Sequence, residues 1–305
     1  MGDKQQKTSQ LSISVVVVSW NRKTDLVDLL DSLIKQTYPK LEIIVVDNAS
    51  TDGTLQTLKK RYSNLKIVAL KKNYGLHAGF NYGVSKASGD IIIGTDQDCI
   101  IKDPDVTSKV AVAFQQNPKL GVLAFRVKSQ FTDGDMWDNP MHLEKGFSEK
   151  GYFSLTFNGG GFAVPRKVCA QIGGYDEQFF IYHGEIDLTL RVLDLGYQCR
   201  YFPDIGVYHK AVGHRQTTWY YRTTNRNYEW FLWKNFTFSE IIKIRILPVI
   251  WELKKHPSDF FRLTFENLRT IYDTLPGYYK VLKKRKVLSK KTIQYFEFLR
   301  LKGKP

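Results

Sequence analysis

The sequence predicts an α/β fold with a mostly parallel central sheet and flanking helices, followed by a mainly helical, basic C-terminal extension. Three observations predict it. β-Branched runs alternate with segments of helical period through the first hundred residues, the pattern of strands joined by helical crossovers. Three of those runs end in Trp20-Asn21, Asp47 and Asp96, which places polar and aromatic side chains at the strand ends where such sheets bind ligands. The 305-residue chain carries a net charge of +15, yet residues 206–305 hold 21 Lys and Arg against 7 Asp and Glu, a net +14. A near-neutral part is therefore joined to a basic part suited to an anionic partner.

The elements follow in order. Residues 1–11 read as a disordered polar tail. "SISVVVVSW" reads as a fully buried strand. Leu26, Leu29, Leu30, Leu33 and Ile34 define a helix face, with Thr24 as its cap and Pro39 beyond its end. "LEIIVVD", "GTLQTLKKRY" and "LKIVAL" read as strand, helix and strand. "GLHAGFNYGVSKAS" reads as a Gly-containing helix, "DIIIGT" as the fourth strand and "LGVLAFRV" as a later one. The polar stretch 129–151 reads as a mobile loop near the site. In "GGYDEQFFIYHGEIDLTLRVLDLGYQC", Ile186, Leu190 and Leu193 mark a helix whose first turn carries Glu185 and Asp187, where the helix dipole favours acids. "CRYFPDIGVYHK" returns as extended chain and brings His209.

Composition excludes several classes. Cys99, Cys169 and Cys199 lack metal-site spacing and read as reduced thiols of a cytosolic protein. The N-terminus lacks a signal-peptide core, and no stretch is long and apolar enough to span a membrane. No nucleic-acid-binding motif accompanies the basic charge.

"GTDQDCIIKDPD" carries the chemistry. Along an extended strand, residues i and i+2 point to the same side, so Asp96 and Asp98 project together. Two close carboxylates repel unless a cation lies between them, and Mg²⁺ or Mn²⁺ is one such cation. A solvated turn is the alternative for an isolated Asp-x-Asp.

"VVVVSWNRKTDLVDLLDSLIKQTYPKLEIIVVDNASTDGT", "NYGLHAGFNYGVSKASGD", "TDQD", "GGYDEQFFIYHGEIDLTLR" and "VYHK" together resemble the inverting glycosyltransferases of family 2, which have the GT-A fold. The resemblance covers about residues 12–210. It implies a catalytic domain over 12–215, with a nucleotide-sugar half at about 12–105 and an acceptor half at about 106–215, and an extension over 216–305. Carried over by position, it implies that Ser19, Trp20, Asn21, Asp47, Asn48, Asn73, Gly75, Gly79, Asn81 and Asp96 bind the nucleotide-sugar. Ser50 and Asp52 match the turn after Asp47. Asp98 matches the direct metal ligand, Asp96 acts through a metal-bound water, and His209 completes the shell. Asn158, Gly159, Gly160 and His183 are the expected acceptor contacts.

The catalytic base is where the sequence departs from the commoner family pattern. Relatives carry Glu-Asp followed two residues later by Asp, with the Asp of the pair as base; here Gly184-Glu185-Ile186-Asp187 stands at that place. Glu185 becomes the expected base and Asp187 the runner-up. Asp-Gln-Asp is similar to the motif of relatives that use dTDP-L-rhamnose, with UDP-hexoses or UDP-N-acetylhexosamines as the alternative donors. The expected acceptor is a saccharide or lipid-linked saccharide in cell-surface polysaccharide assembly.

In the extension, Phe261, Phe265, Leu268, Tyr272 and Leu275 form one apolar helical stripe before Pro276, which is expected to end the helix. With the flanking lysines, this suits an anionic membrane surface at the inner face of the cell membrane. Packing on the catalytic part or in a homodimer is the other reading. A nucleotidyltransferase lacks support, since "VVVVSWNRKTD" has no Gly-rich basic signature. A catalytically idle membrane scaffold stays open because Gly184 replaces the usual Glu.

Overall fold

A computed structural model of the chain describes residues 10–132, 134–137, 150–210, 217–256, 258 and 260–302. Residues 1–9 of the expected tail over 1–11 and most of the expected mobile loop over 129–151 lie outside the described residues, while Gln10 and Leu11 are held, their carbonyls accepting from Lys40 Nζ at 3.1 Å and Tyr38 Oη at 2.5 Å.

The first half is built as alternation dictates: β1 (Ile13–Ser19), α1 (Lys23–Leu33), β2 (Leu41–Asp47), α2 (Thr54–Arg61), β3 (Lys66–Ala69), α3 (Leu76–Lys86) and β4 (Ile91–Asp96). There follow β5 (Cys99–Ile100), α4 (Val106–Gln116), β6 (Leu120–Ser129), β7 (Asp135–Trp137), β8 (Tyr152–Phe153), β9 (Phe162–Pro165), α5 (Arg166–Ile172), α6 (Gly184–Asp194) and β10 (Gln198–His209). The sheet runs β3-β2-β1-β4-β9-β6-β10-β5, with β7 beside β6 and β8 beside β10. β1 pairs in parallel with both β2 and β4, and β10 in parallel with β6. β9 lies antiparallel to both of its neighbours.

β1 is buried along its whole length because both of its faces are covered. Ile13, Val15 and Val17 enter a core with Leu26, Leu29, Leu30 and Leu33 of α1 and Val110 of α4. Val16 and Val18 enter the opposite core with Phe80 of α3, Val168 of α5 and Leu188 and Val192 of α6. Each such side chain contributes roughly 1.5–3 kcal/mol when fully buried. The close approach of α3 depends on glycine. A Cβ on Gly83 would lie 2.3 Å from Val16 Cγ1, and one on Gly79 2.7 Å from Val18 Cγ1.

α1 starts one residue before the expected cap. Thr24 does not cap it; the Lys23 N–H instead donates to Asp52 Oδ2 at 2.9 Å, so the turn after β2 closes the helix end.

The extension comprises α7 (Thr218–Asn235), α8 (Phe238–Ile241), a π-helical stretch (Ile242–Ile246), α9 (Leu247–Lys255), α10 (Phe260–Lys283) and α11 (Lys290–Lys302). It shares a core with the preceding part: Phe179, Leu190 and Leu155 pack with Phe231, Phe236, Val281, Ile293 and Phe296. Polar contacts reinforce that seam, with Ser289 N–H and Thr292 Oγ1 donating to Asp194 Oδ1 at 2.8 and 2.9 Å. The expected boundary near residue 215 falls among residues 211–216, outside the described residues.

Pro276 does not end its helix, contrary to expectation; α10 runs through it to Lys283. Packing outweighs the lost N–H. Thr270, Thr274 and Val281 are buried, Trp230 Nε1 donates to the Thr274 carbonyl at 3.0 Å, and a Cβ on Gly277 would lie 2.1 Å from Trp230 Cζ2. The other face carries Leu268, Ile271, Tyr272, Leu275, Tyr279 and Leu282, all exposed. The side chains of Phe261 and Phe265 lie outside the described residues. No described helix is long and apolar enough to cross a membrane.

Candidate active site

The carboxyl ends of β1, β4 and β10 open onto a crevice of about 830 Å³. Ten of the residues expected at a site line it: Trp20, Asn48, Asn73, Gly75, Asp96, Asp98, Asn158, Gly159, Glu185 and His209.

Pairing of β5 with β10 sets His209 opposite Cys99 and so beside Asp98. His209 Nε2 lies 3.4 Å from Asp98 Oδ1 and 3.8 Å from Asp96 Oδ2. Burial, then the charge of Asp96, pushes the Asp98 carboxyl above its usual range. For His209 burial alone would lower the pKa, but the hydrogen bond to Asp96 and the charges of Asp98 and Asp96 outweigh it and raise the value. Asp98, Cys99 and His209 bring one ligand atom each within 4.8 Å of one another. A carboxylate oxygen and an imidazole nitrogen fit Mg²⁺ or Mn²⁺. The Cys99 thiol does not, since burial holds it protonated far above its ordinary pKa.

Arg22 and Gln97 belong here and were not expected. The Arg22 guanidinium pairs with Asp98 Oδ2 and with Asp25 Oδ2 at 2.8 Å. Gln97 Oε1 accepts from Ser19 Oγ at 2.8 Å and from the Trp20 N–H at 2.9 Å, tying the end of β1 to that of β4. Both lie within three residues of expected ones, so position past the strand end was the available signal.

Glu185 stands in the first turn of α6. It is half-buried, and the desolvating surroundings, with a smaller push from Asp96, raise its pKa to about 7. A carboxyl with that value exchanges protons near neutrality. The structure also accounts for Gly184. A Cβ there would lie 2.3 Å from His77 Nε2, and His77 is fully buried and stacked on Tyr175 at 4.6 Å. The space that a preceding Glu would need is filled by His77.

Eight expected residues stand behind the crevice rather than along it. Asp187, the runner-up base, is the clearest correction. It is fully buried and held by Arg191 Nη2 at 2.7 Å, Lys234 Nζ at 3.0 Å and Asn235 Nδ2 at 2.9 Å. Burial alone would raise its pKa, but Arg191 and Lys234 lower it, so it is a clamp between α6 and α7 and not a free base. His183, expected at the acceptor, caps α6 in a left-handed conformation (φ 62°) with its ring 5.7 Å from Tyr228. Burial lowers its pKa to about 4. Asn81, expected at the nucleotide, exchanges hydrogen bonds at 2.9 Å with the backbone of Tyr175.

The others shape the walls. Gly79 lets α3 approach β1, and Ser19 is held by Gln97. Asn21 Oδ1 accepts the Thr51 N–H at 2.7 Å. Asp47 is buried, its Oδ1 accepting the Ser50 N–H at 3.2 Å. The Gly160 carbonyl accepts from Thr95 Oγ1 at 2.8 Å. In front of Asp47, Asn48 Nδ2 donates to Asn73 Oδ1 at 2.9 Å and the Gly75 carbonyl at 3.1 Å.

Comparison with known proteins bears on the family and the fold. The sequence profile described as "Glycosyl transferase family 2" matches residues 14–173. An uncharacterized glycosyltransferase of Haemophilus influenzae is 31% identical over 143 residues, 42% of this chain and 44% of that protein; the match thus spans less than half of that relative's length. Two solved structures are similar in fold. Staphylococcus aureus TarS 1–349 in complex with UDP-GlcNAc superposes with a TM-score of 0.63 at 18% identity, covering 96% of this chain and 88% of that one. The mannosyltransferase PcManGT from Pyrobaculum calidifontis, in complex with GDP-Man and Mn²⁺, superposes with a TM-score of 0.58 at 23% identity, covering 72% and 62%.

Proposed function

The chain belongs to glycosyl transferase family 2, and from that membership we propose that it is a metal-dependent, inverting transferase moving a sugar from a nucleoside diphosphate to a saccharide or lipid-linked saccharide. The observation that carries the reading is one crevice holding Asp98 and His209 together with a Glu185 whose pKa is raised to about 7.

Each group has a role. Asp98 and His209 would hold Mg²⁺ or Mn²⁺, with Asp96 contributing through water. When bound, the ion supplies positive charge to the departing diphosphate. Arg22 adds a second cation beside Asp98. Asn48, engaged on both its amide nitrogen and its oxygen, orients Asn73 toward the nucleoside, and Trp20, half-exposed at the end of β1, offers a face to the base. Glu185 accepts the proton of the attacking hydroxyl, a contribution of typically 10²–10⁴-fold. Attack from one face and departure from the other inverts the anomeric centre without a covalent sugar intermediate.

The Asp-Gln-Asp motif favours dTDP-L-rhamnose, while similar structures are complexes with UDP-GlcNAc and with GDP-Man. Titration calorimetry with dTDP, UDP and GDP, each with Mn²⁺ and with EDTA, separates these. We expect metal-dependent binding of one base over the others; a folded protein that binds none overturns the transferase reading in favour of a scaffold.

We place the work at the inner face of the cell membrane, with residues 12–215 catalytic and 216–305 docking. Support comes from the exposed apolar face of α10 and from Ile246, Leu247, Ile250 and Trp251 nearby in sequence, also exposed. Lys254, Lys255, Arg269, Lys280 and Lys283 accompany them. At about 1 kcal/mol per basic residue near an anionic surface, five give roughly 5 kcal/mol. Flotation with phosphatidylserine liposomes is expected to capture the protein and to weaken with salt. Absence of capture removes the membrane assignment, and capture indifferent to both lipid charge and salt removes its electrostatic part.

A further inference from the structure

The rest of the crevice lining is of another kind. Phe180 and Tyr182 come from the segment that leads into α6, and Thr217, Trp219 and Tyr220 come from the start of α7. The Tyr182 ring lies 5.1 Å from that of Tyr220, edge to face, and 6.1 Å from that of Trp219. Trp219 is 54% exposed. The Tyr182 phenol is pushed above its ordinary pKa by burial, by Tyr220 and by the nearby carboxylates of Asp96 and Glu185. The rings therefore stand within electrostatic reach of the base.

This wall is held, not merely exposed. Phe180, Tyr182 and His183 have φ of 64°, 68° and 62°, a left-handed backbone that costs bulky residues of order 1–3 kcal/mol each and concentrates at functional sites. Asn227 of α7, fully buried, opposes that cost. Its Nδ2 donates to the carbonyls of Phe179, Ile181 and Tyr182 at 2.9, 2.7 and 3.1 Å. Across the crevice floor Gly75, at φ 90°, leaves room for Phe180, whose Cδ2 would lie 2.5 Å from any Cβ there.

We propose that Phe180, Tyr182, Trp219 and Tyr220 form a platform for an uncharged pyranose of the acceptor, half of it supplied by the extension. The assignment rests on the transferase reading for the identity of the attacking hydroxyl. Aromatic rings with hydroxyl edges give large, rigid contact area at low entropic cost, and a pyranose presents the matching surfaces: an apolar C–H face and a hydroxyl rim. Charge argues for a neutral sugar. Among the described lining residues, Arg22 is the one Lys or Arg, and it is engaged by Asp98; the platform itself offers no cation to a phosphate or carboxylate. A lipid tail is disfavoured because Thr217, Asn158 and the tyrosine hydroxyls interrupt the apolar surface. At about 830 Å³ the crevice is near the top of the ordinary ligand-pocket range of about 300–1,000 Å³, room for more than a donor alone.

Saturation-transfer NMR on the full chain tests this. The probes are methyl β-D-glucopyranoside, methyl N-acetyl-β-D-glucosaminide and methyl α-L-rhamnopyranoside, with glucose 6-phosphate as the charged control. Wild type is expected to transfer saturation to the ring C–H protons of at least one methyl glycoside. Trp219→Ala and Tyr182→Leu are each expected to reduce it at least fivefold, while Trp219→Ala binds UDP or dTDP with Mn²⁺ within twofold of wild type. If Trp219→Ala does not fold, Trp219→Leu keeps the bulk without the ring face and makes the same comparison. Undiminished transfer in the variants, no transfer to any uncharged glycoside, or preference for glucose 6-phosphate overturns the proposal. So does loss of nucleotide binding in a folded Trp219→Ala, which would assign the ring to the base. Trp219-dependent glycoside binding by a wild type that binds no nucleotide leaves the platform standing and removes the transferase reading.

Discussion

The two halves of the crevice are made by different means. Asp96, Asp98 and His209 stand on the ends of strands or just past them, in a sheet whose register fixes each position, and they are ionisable. Phe180, Tyr182, Trp219 and Tyr220 stand on a left-handed segment and on a helix of the extension, and they are neutral. A sheet edge supplies a preorganised charge site at little local cost. Placing neutral rings beside it requires a strained segment and a buried amide, Asn227, to hold it. Glu185, on the first turn of α6, lies where the two constructions meet.

The widest separation between the halves is expected in kinetics. Glu185→Gln should lower turnover by roughly 10²–10⁴-fold with UDP or dTDP binding unchanged by calorimetry. Asp98→Asn should lower turnover by about 10²–10³-fold and abolish the metal-dependent part of nucleotide binding. If Glu185→Gln also lost nucleotide binding, the two halves would not be separable.

A smaller effect concerns stability. Asp187 sits two residues from Glu185 yet is fully paired. Asp187→Ala leaves Lys234 paired with Asp176 alone and Arg191 with the carbonyls of Ile172 and Gly174, so the loss is bounded above by the roughly 3–5 kcal/mol of a fully broken buried pair. Urea denaturation should show a loss within that bound, whereas Glu185→Gln should show none. Equal losses would mean that the two acids share one structural role.

The smallest effect is in pH dependence. Glu185 has a folded pKa of about 7 against an ordinary 4.5, so the folded state binds its proton more tightly than the unfolded one. Its stabilising contribution is complete below about pH 4.5 and is lost as pH rises through 7, a change of up to ~3 kcal/mol. Glu185→Gln should therefore be more heat-stable than wild type at pH 8 and equal to it at pH 4. Wild-type turnover should rise through pH 7 as the base ionises. Parallel melting curves for the two proteins across that range would argue against a desolvated carboxyl.

The strand-end half was legible in the sequence because its signals are local. A β-branched run followed by Asp-x-Asp states both the strand and what projects from its tip, and the order of the five motif segments named the family before any coordinates. The aromatic half was not legible. Trp219 lies more than a hundred residues from Asp98, and nothing in its neighbourhood says which wall it joins. His183 and Asp187 were misplaced for a related reason: near Glu185 in sequence, they turn to other sides of α6, one toward Tyr228 and one toward Lys234. Pro276 was misread because a tertiary contact at Trp230 overrode a local rule. The absence of Glu at 184 was visible, but its cause, the His77 ring, was not.

The core shared by α6 and the extension bears on how such chains diverge. Leu190 of α6 is packed with Phe231 and Phe296, while Glu185, five residues earlier, faces the crevice. Recombination that exchanged residues 216–305 as a cassette would have to bring a matching α6 with it, or leave aromatic surface unpaired. Inheritance of the aromatic wall is thereby linked to inheritance of α6, and, on the proposed function, new acceptor preferences are expected to arise by substitution within the pair, not by shuffling of its parts.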